Sequence, residues 1–170
     1  MKNILVFVCL SLSFSFFAQE MTNDKLEEIF TRKADTLSGY SGYWEIIHKD
    51  RQLLCITDVN HNRMRIISPI AKTDLLDKDL LLDALTANFH SALDVKYAIS
   101  KDLLWSVFIH PLKELSVTEA ESALDQVANA AINFGTTFSS TEMIFGGAVN
   151  NTTKAAPIEL EEENQLNKKF

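Results

Sequence analysis

One predicted strand, with large apolar side chains on both of its faces, constrains the fold of this chain most. Within residues 103–109, apolar side chains at odd positions alternate with Leu104 and Phe108 at even positions. Successive side chains of a strand point to opposite faces of its sheet. Such a strand is central in its sheet, or its second face is covered by a helix or another subunit. We therefore expect Leu104 and Phe108 to contact a helix or a second subunit.

The elements around this strand predict an α+β domain. Apolar spacing predicts three helices, over residues 24–37, 75–89 and 116–134. Alternating apolar residues and short turns predict five strands, over residues 43–48, 52–59, 63–70, 97–100 and 103–109. The order α-β-β-β-α-β-β-α implies an antiparallel sheet of about five strands, with the helices packed against it. Residues 38–42 contain two glycines and two serines and are predicted to form a turn.

Two of the predicted helices have distinct apolar faces. In the second helix, Leu81, Leu85 and Phe89 recur at helical spacing, so we expect this face to be buried. Phe89 and Trp105 are expected to be core residues. The third helix has a capping box, Ser116 with Glu119, and an alanine-rich face. Small side chains allow a helix to lie close to a sheet, although the same face could also form a groove for a partner.

The first eighteen residues have the pattern of a secretory signal peptide. Lys2 is followed by an apolar run over residues 4–17, and Ala18 provides a cleavage point before Gln19. The run is shorter than the roughly 20 residues that a membrane-spanning helix needs. We therefore expect an exported protein, periplasmic or secreted, without a membrane span in its mature form. Residues 19–135 are predicted to form the domain, and residues 136–170 a partly disordered C-terminal extension.

Charge and cysteine content exclude two further possibilities. The net charge of −7 provides no basic face for a nucleic-acid partner. If the signal peptide is removed, Cys55 is the single cysteine left, so no internal disulfide can form. Cys55 lies in an apolar strand pattern, which is typical of a buried, unreactive thiol.

No sequence motif indicates catalysis, a cofactor or a metal ion. The four histidines show no metal-ligand spacing, and neither a nucleophile elbow nor a phosphate-binding glycine loop occurs. We therefore predict no catalytic, cofactor-binding or metal-binding residue. An alternative is an enzyme whose site is assembled from distant residues such as His48, His110 and Asp58. A further alternative is a structural or stress-related envelope protein without a ligand.

The element order resembles the fold shared by type III secretion chaperones and YbjN-like proteins. The segments with this resemblance are residues 62–70, 81–89, 96–99 and 103–112, within a matching region from about residue 24 to residue 135. The resemblance implies a small, acidic, non-enzymatic homodimer that binds extended segments of other proteins. Those chaperones act in the cytoplasm, whereas this chain begins with an export signal, so the delivery of clients to a secretion system is not implied.

These observations predict a non-catalytic module that binds a protein or peptide and forms a homodimer. The candidate residues for the partner or dimer surface are Leu104, Phe108, Trp44 and Tyr43. For Trp44 the alternative is packing in the core, because an indole ring has a large apolar surface.

Overall fold

The computed structural model of the protein describes residues 20–141 and shows one six-stranded sheet with three helices. The predicted signal peptide and residues 142–170 of the predicted extension lie outside the described residues. Within the described part of the chain, no helix is both long and apolar enough to cross a membrane.

The elements follow one another in an order close to the predicted one. The helices are α1 (Asn23–Lys33), α2 (Lys78–His90) and α3 (Val117–Ile132), and a short 3-10 turn (Thr73–Leu75) precedes α2. The strands are β1 (Thr36–Tyr40), β2 (Tyr43–His48), β3 (Arg51–Asp58), β4 (Arg63–Lys72), β5 (Lys96–Ser100) and β6 (Leu103–His110). All neighbouring strands are antiparallel, in the spatial order β1-β2-β3-β4-β6-β5. The α+β class and the antiparallel sheet are thus confirmed, with six strands rather than about five.

The additional strand is β1, which forms where the sequence predicts the end of a helix and a turn. Helix α1 ends at Lys33 because Ala34 has an extended backbone, and the Asp35 carboxylate accepts a hydrogen bond of 3.0 Å from the Lys49 backbone N–H. The predicted turn is shorter than expected, since only residues 41 and 42 connect β1 to β2. Gly42 provides the positive φ, +97°, that this hairpin requires.

Helices α1 and α3 cover one face of the sheet. Phe30 of α1 packs edge-on against Trp44 of β2, with ring centroids 5.8 Å apart. The capping box of α3 is confirmed, and its alanine-rich face is buried in the core. Two strand side chains donate to carbonyl oxygens of α3, Ser106 to Val127 and Tyr97 to Ala130, both at 2.9 Å. Such short bridges are possible because alanine side chains keep the helix close to the sheet.

The predicted buried face of α2 is correct for Leu81, which is partly buried against the core, and wrong for Leu85 and Phe89. Ala84 and Ala87 face the core, whereas Leu85 and Phe89 are 62% and 84% exposed. Helix α2 has apolar side chains on more than one face, so its helical spacing alone does not identify the buried one. The small alanines allow α2 to approach β5 closely, and the larger side chains then point outward.

Candidate binding surfaces

The face of the sheet opposite α1 and α3 is covered by no element among residues 20–141. Along β6, Leu104, Ser106 and Phe108 are buried beneath the helices, while the residues between them are half-buried and Ile109 is 63% exposed. The apolar side chains on the second side of the predicted two-faced strand therefore lie on an accessible surface. We call this surface the open face.

A cross-strand row of apolar residues forms the centre of the open face. Leu54 of β3 lies opposite Ile67 of β4, and Ile67 lies opposite Val107 of β6, all three half-buried. The neighbouring residues at the two ends of this row are exposed and charged, Glu45 on β2 and Lys96 on β5. An apolar centre with a polar rim is the usual anatomy of a surface that binds another protein.

A second exposed apolar surface follows helix α2. Leu82, Leu85 and Phe89 are all exposed, and their spacing of i, i+3 and i+7 places them in one stripe. We call it the α2 stripe. Leu75, in the turn before the helix, is also exposed. Large apolar side chains clustered in this way on a small domain mark an interaction surface.

The two edges of the sheet differ. At β5, the Asn88 side chain of α2 accepts a hydrogen bond of 2.7 Å from the Tyr97 N–H and donates one of 3.2 Å to the Tyr97 carbonyl oxygen. Asn88 thus occupies backbone groups that another strand would use. At the other edge, β1 pairs with β2, and no further strand among residues 20–141 pairs with its outer side.

The most connected polar cluster lies where α1, β2 and α3 meet. The Asp125 carboxylate accepts hydrogen bonds of 2.9 Å from Lys33 Nζ, Lys49 Nζ and Nε2 of the buried His48. Burial opposes ionisation of this carboxyl, but the three donors together lower the Asp125 pKa well below its usual range. The hydrogen bond to Asp125 likewise raises the Lys33 pKa. Lys33, Lys49 and His48 all bind the one carboxylate, so the evident role of the cluster is to join the three elements.

The structure corrects the predicted surface residues. Trp44, Leu104 and Phe108 are between 1% and 5% exposed and belong to the core beneath α1 and α3. A helix of the same chain therefore covers the even positions of β6, because the alternation of side chains directs them towards α3. Of the four candidates, only Tyr43 is accessible, and its ring stacks on Tyr40 with centroids 5.7 Å apart. Trp105, predicted to be in the core, is half-buried on the open face.

The residues of the alternative enzyme site are not brought together. His48 ends β2 and lies opposite Arg51, whereas Asp58 lies at the other end of β3, where it binds His61 at 2.7 Å. Hydrogen bonds from His61 lower the Asp58 pKa. His110 Nδ1 donates a hydrogen bond of 2.8 Å to the carbonyl oxygen of Pro111. Each of these side chains thus has a local structural partner.

The structure also shows how the possible metal ligands are distributed and where the Cys55 thiol lies. Within residues 20–141, no three His, Cys, Asp or Glu side chains are grouped so that they could hold a metal ion. Cys55 is fully buried, and burial raises the pKa of its thiol. A neutral, inaccessible thiol is unreactive.

The sequence prediction missed the α2 stripe, the outer edge of β1 and the polar cluster of Asp125. The stripe has a sequence signal, since Leu82, Leu85 and Phe89 recur at i, i+3 and i+7. Leu81, Leu85 and Phe89, at i, i+4 and i+8, are also at helical spacing, so the pattern does not show which set is buried. The hairpin of β1 has a signal in the Ser41-Gly42 dipeptide between alternating residues. The Asp125 cluster has none, because His48 and Asp125 are 77 residues apart in the chain.

Solved structures with the same fold are chaperones in complex with proteins. The chain matches the HopA1–SchA chaperone–effector complex with a TM-score of 0.50 and 15% sequence identity, covering 66% of this chain and 88% of that one. For the ExsC–ExsE complex the TM-score is 0.50 and the identity 11%, with 64% and 90% covered. It also matches the Yersinia pestis type III secretion chaperone SycH, solved in complex with a fragment of YscM2. The TM-score is 0.50 and the sequence identity 16%, and the match covers 66% of this chain and 98% of that one.

No protein-family model matches the sequence, and no curated protein sequence matches it either. The resemblance therefore lies in the structure. The protein has the chaperone-like fold of the type III secretion chaperones, as the sequence pattern predicts.

Proposed function

We propose that this protein is an exported, non-catalytic module that binds a segment of another protein and forms a homodimer. The observation that carries this proposal is the open face, whose apolar row of Leu54, Ile67 and Val107 is left uncovered by the helices. Burying such a row against a partner is favourable, at about 25 cal/mol for each Å² of apolar surface. The chaperones that share the fold support the proposal, since their solved structures contain a protein partner.

The α2 stripe is the surface that we assign to the homodimer. A two-fold axis brings the same patch of both subunits together. A helix with Leu82, Leu85 and Phe89 in one stripe suits this arrangement, because the stripes of two antiparallel or crossed helices can pack against each other. The open face then stays accessible for a partner of different sequence.

The assignment to the cell envelope rests on the N-terminal sequence. Lys2, the apolar run over residues 4–17 and Ala18 together have the features of a cleaved signal peptide. The export signal separates this protein from the cytoplasmic role of secretion chaperones. We therefore propose that its partner is also a protein of the envelope or the exterior.

Site-specific photocrosslinking tests both surfaces in the cell that makes the protein. A benzoylphenylalanine is placed at Ile109 on the open face, at Leu85 on the α2 stripe, or at Val117, an exposed apolar control position on α3. We expect Ile109 to crosslink to a different protein and Leu85 to a second copy of the chain, identified by mass spectrometry. Mass spectrometry of the purified protein also tests export, with Gln19 expected as the first residue.

For each of the three expected results, a different result would contradict the proposal. If Ile109 gives the same products as Val117, the open face binds no partner and the proposed function is wrong. If Leu85 forms no crosslinked dimer, the homodimer through α2 is wrong, and partner binding is judged from Ile109 alone. An intact N-terminus on protein recovered from the cytoplasm contradicts export.

A further inference from the structure

One three-residue motif lies outside both proposed binding surfaces. Asp35-Thr36-Leu37 has the pattern Asp-Thr-aliphatic, which accepts O-linked glycans in some exported bacterial proteins. An aspartate followed by serine or threonine occurs at no other place in the sequence. A motif this short is informative only where the folded chain presents it to an enzyme, so its position in the structure decides whether it can be used.

The structure presents the threonine of this motif to solvent. Thr36 is the first residue of β1, it is exposed, and its hydroxyl has no hydrogen-bond partner among residues 20–141. Strand β1 lies at the edge of the sheet, and no strand of the described part of the chain flanks its outer side. A transferase can therefore reach both the hydroxyl and the extended backbone that carries it while the domain stays folded.

The aspartate that precedes the threonine is also accessible and is held in place. The Asp35 backbone N–H donates a hydrogen bond of 2.9 Å to the carbonyl oxygen of Ile47. Asp35 Oδ2 accepts one of 3.0 Å from the Lys49 N–H, and the second carboxylate oxygen has no partner among the described residues. Leu37 is partly buried against the core. The polar part of the motif is thus exposed and ordered, and its apolar residue anchors it to the domain.

Other threonines lack this combination of features. Thr31 and Thr118 are exposed, but they lie within helices α1 and α3, and neither follows an aspartate. The hydroxyls of Thr57 and Thr86 donate hydrogen bonds to other groups of the domain. Of these five threonines, Thr36 alone has an accessible hydroxyl, an extended backbone and a preceding aspartate.

A sugar on Thr36 would cover an apolar corner of the sheet. Thr36 pairs with Ile47 of β2, so the two side chains lie on the same face, and Ile47 is 39% exposed. Natural proteins cover or charge the edges of their sheets, because an open edge invites pairing with other chains. Asn88 has this role at β5. A glycan is bulky and solubilising, and at Thr36 it would shield the start of β1.

We propose that Thr36 is an O-glycosylation site, modified in the cell envelope by a glycosyltransferase that uses a lipid-linked sugar diphosphate. Thr36 Oγ1 forms a bond to the anomeric carbon of the sugar, and the bond from that carbon to the diphosphate oxygen breaks. The lipid diphosphate leaves with the electron pair, and the hydroxyl proton passes to a base of the transferase. This inference rests on the export proposed above and involves neither the apolar row of the open face nor the α2 stripe.

Mass spectrometry of the full-length protein, purified from the cell that makes it, tests the inference. We expect the chain to be heavier than its sequence by the mass of one or more sugar residues. The tryptic peptide of residues 34–49 contains Thr36 and no other threonine. Electron-transfer fragmentation of this peptide should place the added mass on Thr36. The intact mass also shows whether the chain begins at Gln19.

Four variants define the site. Thr36→Ala should lose the added mass completely, whereas Thr36→Ser keeps a hydroxyl and should retain it. Asp35→Asn should also lose it. Since the asparagine oxygen can still accept the hydrogen bond from Lys49, this variant removes the charge and keeps the local structure. Thr31→Ala, which removes an exposed hydroxyl of α1, is the matched control and should leave the added mass unchanged.

Three results would overturn the inference. An unmodified peptide of residues 34–49, from a chain that begins at Gln19, shows export without a glycan at Thr36 and leaves the proposed function standing. An unmodified chain that still carries its signal peptide overturns both the inference and the proposed export. A glycan that survives Thr36→Ala, such as one on the Asn-x-Thr triplets at Asn150 and Asn151, shows that another residue is the acceptor.

Discussion

At the scale of single residues, Asp125 takes part in more ion pairs than any other charged group among the described residues. One carboxylate joins α1 through Lys33, β2 through His48 and the β2–β3 turn through Lys49. His48 is buried, so its Nε2 has no access to water if Asp125 is lost. Removing one member of such a network leaves the remaining polar atoms unsatisfied, which costs more than the average hydrogen bond contributes.

The substitution Asp125→Asn is expected to lower the free energy of unfolding by about 1 to 3 kcal/mol at pH 7, as measured by urea denaturation. The Asp125 pKa is lower in the folded than in the unfolded protein, so the carboxylate stabilises the fold above pH 4. This contribution is lost as the pH falls below 4, because the unfolded state then binds the proton first. The variant should show a shallower loss of stability between pH 4 and pH 2.

Asp83→Asn is the control, since Asp83 is exposed on α2 and forms no ion pair among residues 20–141. Its stability should stay within about 0.5 kcal/mol of the unmodified protein. Equal stability of the Asp125→Asn variant and this control at pH 7 would show that the cluster contributes nothing to the fold.

At the scale of the elements, the two edge strands of the sheet, β5 and β1, are protected to different extents. Helix α2 lies along β5, with Ala84 and Ala87 buried and Asn88 bonded to both backbone groups of Tyr97. Natural sheets protect their edges in this way against pairing with other chains. No comparable side chain occupies the outer side of β1 within the described part of the chain. The outer side of β1 is therefore the less protected edge of the sheet.

The substitution Asn88→Ala should remove this protection. The Tyr97 N–H loses its acceptor, so we expect the free energy of unfolding to fall by about 1 to 3 kcal/mol. The exposed edge of β5 should also promote concentration-dependent association, detectable by light scattering. Asn88→Asp keeps the acceptor and should be intermediate in stability. An Ala variant as stable and as monodisperse as the Asp variant would contradict the protective role.

At the scale of the whole molecule, the three helices found among residues 20–141 do not cover both faces of the six-stranded sheet. Helices α1 and α3 cover one face and α2 covers one edge, which leaves the open face and the α2 stripe accessible. The division is consistent with a domain that completes its apolar contacts with other chains. Fold alone does not define those chains.

The proposed dimer predicts a change of mass for the double substitution Leu85→Glu and Phe89→Glu. Sedimentation equilibrium at tens of micromolar should give a dimer for the unmodified protein and a monomer for the variant, because four charges would meet across the two-fold axis. Both side chains are exposed in the single chain, so the thermal stability of the monomer should change little. Val117→Glu, on the exposed start of α3, should remain dimeric. A monomeric unmodified protein would refute the dimer.

Much of the fold could be predicted because the local sequence patterns agree with the elements that form. The capping box of Ser116 and Glu119, the alanine-rich face of α3 and the alternation along β6 all appear in the structure as the sequence indicates. The error at Phe89 has a physical origin. A helix with leucines on two faces and alanines on a third has no unique buried side, and contact with β5 selects the alanines. The additional strand β1 was missed because its pairing with β2 outweighs the weak strand propensity of a segment with serine and glycine.

The sequence by itself determined the α+β class, the acidic charge and the periodicities of the elements, since these depend on residue types and on spacing along the chain. Only the tertiary structure decided which apolar residues stay outside. Leu104 and Phe108 lie in the core because α3 lies on their side of the sheet, while Trp105 and Ile109 lie on the open face. The same is true of Asp125 and His48, and of Trp44 beside the edge of β1. Burial and pairing depend on contacts between segments far apart in sequence, which no local pattern specifies.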